Sequence, residues 1–563
     1  MRKGRFALAV LGMVLSLPAA ATDLLYKAGF DEAPEGPYNE YEAARFLTQA
    51  TFGPTLPEIQ RLQNMGYNAW LAEQLAAAPT LHTPLLDARA ALGEDVYQQV
   101  RQEAWFTRSV TANDQLRQRV AFALSEVLVV SDQNSAVDQP FALAHYYDLL
   151  LQRSFGNYRQ LLRDVTLHAV MGNYLSMRGN QKEDAAENIR PDENYAREIM
   201  QLFSIGLVML DANGTPVLSG GQPVPTYTQA TIRGFARVFT GWNWSGCTAS
   251  EYEWCYPGET QQAWWRQPMA PFGAYHETGS KQLLVYPGVA LAGGVLPPNT
   301  GVSATTQDLD AALDNIFNHP NVGPFVAKRL IERLVTSNPS PAYVGRVAAK
   351  FANNGSGVRG DLAAVVRQVL MDPEARNRAA MPANGGKLRE PLLRVTQLWR
   401  ALDARSVDNR YREGWPEYYG GQAALRSPTV FNFFLPSYSL PGEIATLGLV
   451  SPEFQISTDT FITRLTNEIA GKVYWFWRGN PDLSPEDVTV DLARDMPLAN
   501  TPSRLVERYD LLFMGGAMSA PMRTIVLNDL NQIDLADGDD ARRERVQDAL
   551  WLILNSPEYV VEK

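Results

Sequence analysis

The stretch Pro191-Asp192-Glu193-Asn194-Tyr195-Ala196-Arg197-Glu198 crowds carboxylates, an amide and a guanidinium into eight positions. Glu193 and Arg197 are four apart, as are Asn194 and Glu198, so each pair meets on one helix surface. A carboxylate held there can serve as general acid or base, and an arginine beside it can grip an anion. Further along, His276-Glu277-Thr278-Gly279-Ser280-Lys281 offers another base and another cation. These residues assemble into a carboxylate-based hydrolase reading. Glu193 or Glu198 is the acid or base with His276 as a further catalytic candidate. Asn194, Arg197, Arg237 and Lys281 bind, and Trp242 stacks on substrate. The rival reading needs no reaction, because the same charges can form a paired network between helices. The His276 stretch also fits no serine-hydrolase pattern such as G-x-S-x-G, and a histidine satisfied within its own loop explains it without chemistry.

Positioning these groups requires a helix that begins near Asp192. Acidic side chains there accept hydrogen bonds from the free N–H groups of the first turn and suit the positive end of the dipole. Tyr195, Ile199, Leu202 and Phe203 recur at helical spacing, and Gly206 supplies the stop. Arg197 stands between Tyr195 and Ile199, so it is expected to be largely buried against Glu193. Glu198 is expected to reach toward Arg233 or Arg237. Thr228 to Phe239 forms the next helix, with Arg233 and Arg237 on one side. Between the two, Val208 to Leu218 predicts a β-hairpin turning at Asn213-Gly214.

After Trp244 the pattern changes. Ser245 to Gly301 is rich in Gly, Pro and Trp and lacks a long helical period. Cys247 and Cys255 are the only two cysteines. In an exported chain such a pair reads first as a local disulfide, and two cysteines without a nearby histidine make a weak metal site. Trp242, Trp244, Trp254, Trp264 and Trp265 gather around them, either as a minor core under a loop or as a stacking surface. Elsewhere the period is helical, over 41–50, 55–77, 95–108, 114–130, 139–153, 158–170, 306–318, 322–336, 341–353, 361–371, 387–402, 454–470, 502–512, 520–531 and 541–554. Arg117, Arg119 and Glu126 fall among apolar residues of one such stretch, which points to ion pairs between helices.

PDENYAREIMQLFSIGL followed by YTQATIRGFARVFTGW resembles the signature of the bacterial family called domain of unknown function 1800. AARFLTQATFGPT, HETGSKQLL, GKLREPLLRVTQLWRAL, SPTVFNFFLPSY, GLVSPEFQI and ALWLILNSPEYVV extend the resemblance along almost the whole chain. It implies a family fold without a known activity. Relatives often carry a histidine where this chain has Phe203, so no metal role is expected of this helix. Relatives are also often encoded beside exported sulfatase-like proteins, which makes such a protein the partner that the resemblance implies.

Residues 1–21 read as a secretory signal, with Arg2, Lys3 and Arg5 before the apolar run Phe6 to Leu17 and a small-residue site at Ala19-Ala20-Ala21. Cleavage there would take the formal charge from −11 to −14. Such an acidic balance argues against nucleic acid. No later stretch is long and apolar enough to span a bilayer. H-E-x-x-H, G-x-x-x-x-G-K-[ST], G-x-G-x-x-G and paired C-x-x-C are all missing, and five histidines are few for a metal centre, so no cofactor is expected. The expectation is a mainly α protein with a small hairpin and a long irregular region at about 245–301. Residues 22–563 would form one large helical domain, with two lobes as the alternative division. Functionally it is expected to be an exported envelope protein, periplasmic or extracellular, that serves as a structural or partner protein. The alternative is a hydrolase of an envelope or extracellular polymer.

Overall fold

The computed structural model describes residues 36–563, and the expected signal at 1–21 lies outside them. The chain is mainly α-helical, and its sheets have only two strands each. Local chemistry starts the helices. Asn39 accepts from the Glu42 N–H at 2.9 Å to open Glu40–Ala50, a cap that satisfies one of the free first-turn donors. Thr55 opens Leu56–Ala76, which bends where Gly66 takes φ +79°, a conformation that glycine tolerates.

Two expected helices are interrupted. The one over 158–170 divides into Tyr158–Leu167 and Ala169–Tyr174, because His168 is extended and its Nδ1 caps the Val170 N–H at 3.2 Å. The one expected from Lys387 begins instead at Pro391. Proline disfavours the helical state in the residue before it and suits the first turn of a helix. Lys387–Leu388 is therefore a short strand, paired antiparallel with Val561–Glu562. The hairpin is also displaced. Gly214 makes its turn with a single bridge between Leu210 and Pro216, whereas two-residue strands form at Leu218–Ser219 and Gln222–Pro223 around Gly220 and Gly221.

One apolar core cluster runs from Ala43 to Tyr559. Trp105 stands edge-on to Phe52 and Phe106, and Phe106 lies 5.4 Å from Trp399. These contacts join the early helices to Pro391–Ala401, and edge-to-face rings add to simple burial. The signature helix, Asn194–Gln201, lies on Gln229–Val238. Tyr195 meets Phe239 edge-on at 5.0 Å and donates its hydroxyl to Thr166 Oγ1 at 2.6 Å.

Gly234 on the second helix presses against the strand Lys281–Gln282, where an added Cβ would lie 1.8 Å from the Gln282 carbonyl oxygen. The irregular region consists of short 3-10 turns and two-residue strands, Trp242–Asn243 with Ala270–Pro271 and Lys281–Gln282 with Val295–Leu296. Cys247 and Cys255 are joined by a disulfide with Cα atoms 5.9 Å apart. Among the described residues no helix is long and apolar enough to cross a membrane.

Candidate functional site

The signature helix is held at its start. Asp192 Oδ1 accepts from the Asn194 N–H at 2.7 Å, and the Asp192 N–H donates to Asn180 Oδ1 at 2.8 Å. Beyond it a groove of about 330 Å³ is lined by Glu183, Arg190, Glu193, Arg233 and Arg237. Glu193 accepts from Gln229 Nε2 at 2.9 and 2.8 Å and from Arg197 Nη2 at 3.2 Å. Arg233 is 3.8 Å from Glu193, and Arg237 is 3.8 Å from Glu183. Three guanidiniums thus face two carboxylates, with the outer pairs loosely closed. Asn194 is exposed beside them.

The expected burial of Arg197 is not what the structure shows. Its side chain is 40 % exposed and pairs with Glu193 alone. Successive helical residues are turned by about 100°, so a residue two positions from both Tyr195 and Ile199 faces away from them. Glu198 instead takes the inner side. It is 6 % exposed, and its Oε2 has no hydrogen-bond partner among the described residues. It pairs with neither Arg233 nor Arg237. Burial raises its pKa, opposed only by the nearby Arg197 charge. Half-buried Tyr174 beside it is pushed up to about 12 by burial and then by Glu198.

His276 and Lys281 belong elsewhere. Both are fully buried. His276 Nδ1 lies 2.9 Å from the Thr240 carbonyl and Nε2 lies 3.1 Å from Asp308 Oδ2. Lys281 Nζ donates to the same Asp308 oxygen at 2.6 Å and to the Gly279 carbonyl at 3.0 Å. Burial alone would raise Asp308, but hydrogen bonds from His276 and Lys281 outweigh it and hold the carboxyl below its usual range. This sealed trio pins the irregular region to the helix Ala304–Phe317, and it does not open on the groove of Glu193. Trp242 is also buried, at 2 % exposure. Trp244 meets Trp265 at 4.6 Å, and all three belong to the main core rather than to a separate minor one. Of the tryptophans gathered near the cysteines, Trp254 is the most open to a ligand, 86 % exposed on the rim of a hollow that also holds Arg178, Gln181 and Glu187.

The densest buried charge lies at residues not singled out from the sequence as a site. Lys387 Nζ is 3.1 Å from Glu390, 3.3 Å from Glu453 and 3.0 Å from the Arg333 carbonyl. Gln422 Nε2 donates to Glu390 at 2.7 Å and to Glu126 at 3.2 Å. Arg119 reaches the Arg333 carbonyl at 2.7 Å, and Arg333 is 3.6 Å from Glu126. Burial and the adjacent Glu390 push Glu126 upward. Burial would raise Glu390 too, but Lys387, Arg119 and Arg333 hold it down. The available signal was charge inside apolar runs, Lys387 and Glu390 in GKLREPLLR and Glu453 in GLVSPEFQI. The ion pair expected of Glu126 is present. Arg117 instead donates to the Leu151 and Ala77 carbonyls.

Among the described residues no group of three or more His, Cys, Asp and Glu side chains is placed to hold a metal ion. Residues 45–561 match the model of a family described as "Protein of unknown function (DUF1800)". Neither the curated proteins nor the solved structures give a match.

Proposed function

The chain belongs to the DUF1800 family, and from that premise we propose that it is an exported cell-envelope protein that works by binding. Its groove at the signature helix takes an anionic group of a partner. One observation carries this reading: Arg190, Arg233 and Arg237 outnumber the carboxylates of the groove, and its two ion pairs stand at 3.8 Å. A guanidinium fork offers paired donors to carboxylate, phosphate or sulfate oxygens. The chain's net charge of −11 does not cancel this local excess, because exposed charges are screened beyond about 8–10 Å in salt. The Cys247–Cys255 bridge supports export, since such bonds persist in oxidising compartments. An exported sulfatase-like protein is the partner class to try first.

Co-sedimentation with the cell-envelope fraction of the producing organism tests the proposal. The parent protein should sediment and be released by salt, and a variant carrying Arg233→Glu and Arg237→Glu should stay in solution. Sedimentation of that variant like the parent rejects the groove as the binding surface.

A second reading, hydrolysis of an envelope or extracellular polymer, is favoured by Glu198 alone. A buried carboxyl whose Oε2 lacks a partner and whose pKa is raised has the properties of a general acid. Folding that raises a carboxyl's pKa costs stability as pH climbs above the ordinary carboxylate range. Glu198→Gln should therefore melt slightly higher than the parent at pH 7, by about 1 kcal/mol or less, and equally at pH 4. Loss of a polymer-degrading activity in this better-folded variant supports the hydrolase, and full retention eliminates it.

A further inference from the structure

A second cationic hollow lies far along the sequence from the signature helix. It has a volume of about 480 Å³ and sits between the start of the helix Glu40–Ala50 and the turn at Gly515 and Gly516. Its floor is Arg45, Arg376 and Arg378, its walls are Tyr38, Tyr41 and Tyr67, and one carboxylate, Glu42, also lines it.

The arginines are held by main-chain oxygens and aromatic rings, with no Asp or Glu side chain paired to them. Arg45 donates from Nε to the Lys563 main-chain oxygen and from Nη1 to the Arg376 carbonyl, each at 3.2 Å. Arg378 donates to the Gly515 carbonyl at 2.8 Å. Arg376 lies over the rings of Phe46 and Tyr67, 4.9 and 5.8 Å from their centres, and its buried Nε has no partner. Among the described residues no Asp or Glu side-chain oxygen lies within 4.0 Å of any of these guanidiniums. The nearby acids are engaged. Asp510 pairs with Arg523 at 2.7 Å, Glu562 faces Arg389 at 3.9 Å, and Glu42 accepts from the Tyr38 N–H at 2.9 Å.

Positive charge gathered this way is costly, because each cation loses water and gains like-charged neighbours. The cost appears at Arg45, which burial first and then Arg376 and Arg378 pull down to about 9. An oxyanion among the three would remove both penalties. The walls set what the anion is attached to. Tyr38 is 75 % exposed, and Tyr41 stands over Gly516, where an added Cβ would come within 2.5 Å of its ring. Aromatic faces beside a cationic floor suit a flat or ring-shaped body joined to the anion.

We propose that this hollow binds a phosphate or sulfate ester carried on a ring, with Arg45, Arg376 and Arg378 on the oxyanion and the tyrosines on the ring. The site is independent of the groove at the signature helix, so either can fail without the other.

Titration calorimetry on the full chain decides it, using 4-nitrophenyl phosphate, 4-nitrophenyl sulfate and the uncharged 4-nitrophenyl glucoside. Arg378 is exposed, so Arg378→Gln should fold like the parent, and its melting temperature is checked alongside. At least one ester should bind, and with a 1:1 ratio once the groove is disabled by Arg233→Gln and Arg237→Gln. That remaining binding should weaken at least about tenfold when Arg378→Gln is added, the scale of one charge-assisted contact. Heat from phosphate only, sulfate only or both supports the site and identifies its ester. No heat from either ester at millimolar concentration overturns it. So does equal binding of the glucoside, undiminished binding when Arg378→Gln is added, or loss of binding in the groove variant.

Discussion

Arg197 and Glu198 are adjacent in sequence and have opposite surroundings. The guanidinium is half in water and the carboxylate is enclosed. Arg197→Ala should accordingly cost less than about 1 kcal/mol, the worth of an exposed ion pair. A loss of several kcal/mol in chemical unfolding would mean that Arg197 is buried after all. The residue types were legible here, and so was the stripe of Tyr195, Ile199 and Phe203. Arg197 is close to that stripe in sequence but, two positions from Tyr195 and Ile199, lies on the opposite side of the helix. His276 and Lys281 escaped for a different reason. Their partner, Asp308, comes from a later helix, and no local spacing announces a carboxylate 27 or 32 positions away.

At the scale of elements, the contact between Gln229–Val238 and the strand Lys281–Gln282 depends on a missing side chain. Gly234→Ala would drive a methyl group into the Gln282 backbone. Such overpacking should cost about 1–3 kcal/mol or more. It should also loosen Lys281 from Asp308, which faster amide exchange across 279–283 would report. Exchange and melting unchanged from the parent would show that the strand simply moves aside. The disulfide is the opposite case, strongly legible because its partners are only eight apart. Replacing both cysteines with serine should lower stability by about 2–3 kcal/mol on chain-entropy grounds. Guanidinium unfolding of the oxidised parent and the double variant measures it, and coincident curves would contradict it. Helix boundaries failed where a side chain or proline intervened, at His168 and before Pro391.

For the molecule as a whole, the buried assembly of Glu126, Arg333, Lys387, Glu390 and Glu453 joins parts of the chain hundreds of positions apart. That range is why the sequence showed its members and not their meeting. Removing one partner from a buried ionic assembly leaves the others uncompensated, so Lys387→Met should cost about 3–5 kcal/mol in unfolding measurements. A near-parental value would mean that water reaches the cluster. The assembly also fixes a pH response. Burial and Glu390 shift Glu126 toward its protonated form in the native protein against the pull of Arg333, whereas the unfolded chain releases the proton in the ordinary carboxylate range. Stability should therefore decline as pH rises from about 4.5 to about 8 and level off above. Glu390 acts in the opposite sense at acid pH, where stability is lost as pH falls through its depressed pKa. Glu126→Gln should flatten the decline in melting temperature between pH 5 and 8, and an unaltered slope would assign it to other groups. The strand Lys387–Leu388 beside this cluster pairs with Val561–Glu562, and Arg389 bonds to a carbonyl 170 positions further on. At ordinary synthesis rates that separation is on the order of ten to thirty seconds on the ribosome. Through that interval Lys387 and its neighbours have no closing strand, so this part of the nascent chain stays unfinished until Val561 and Glu562 are made.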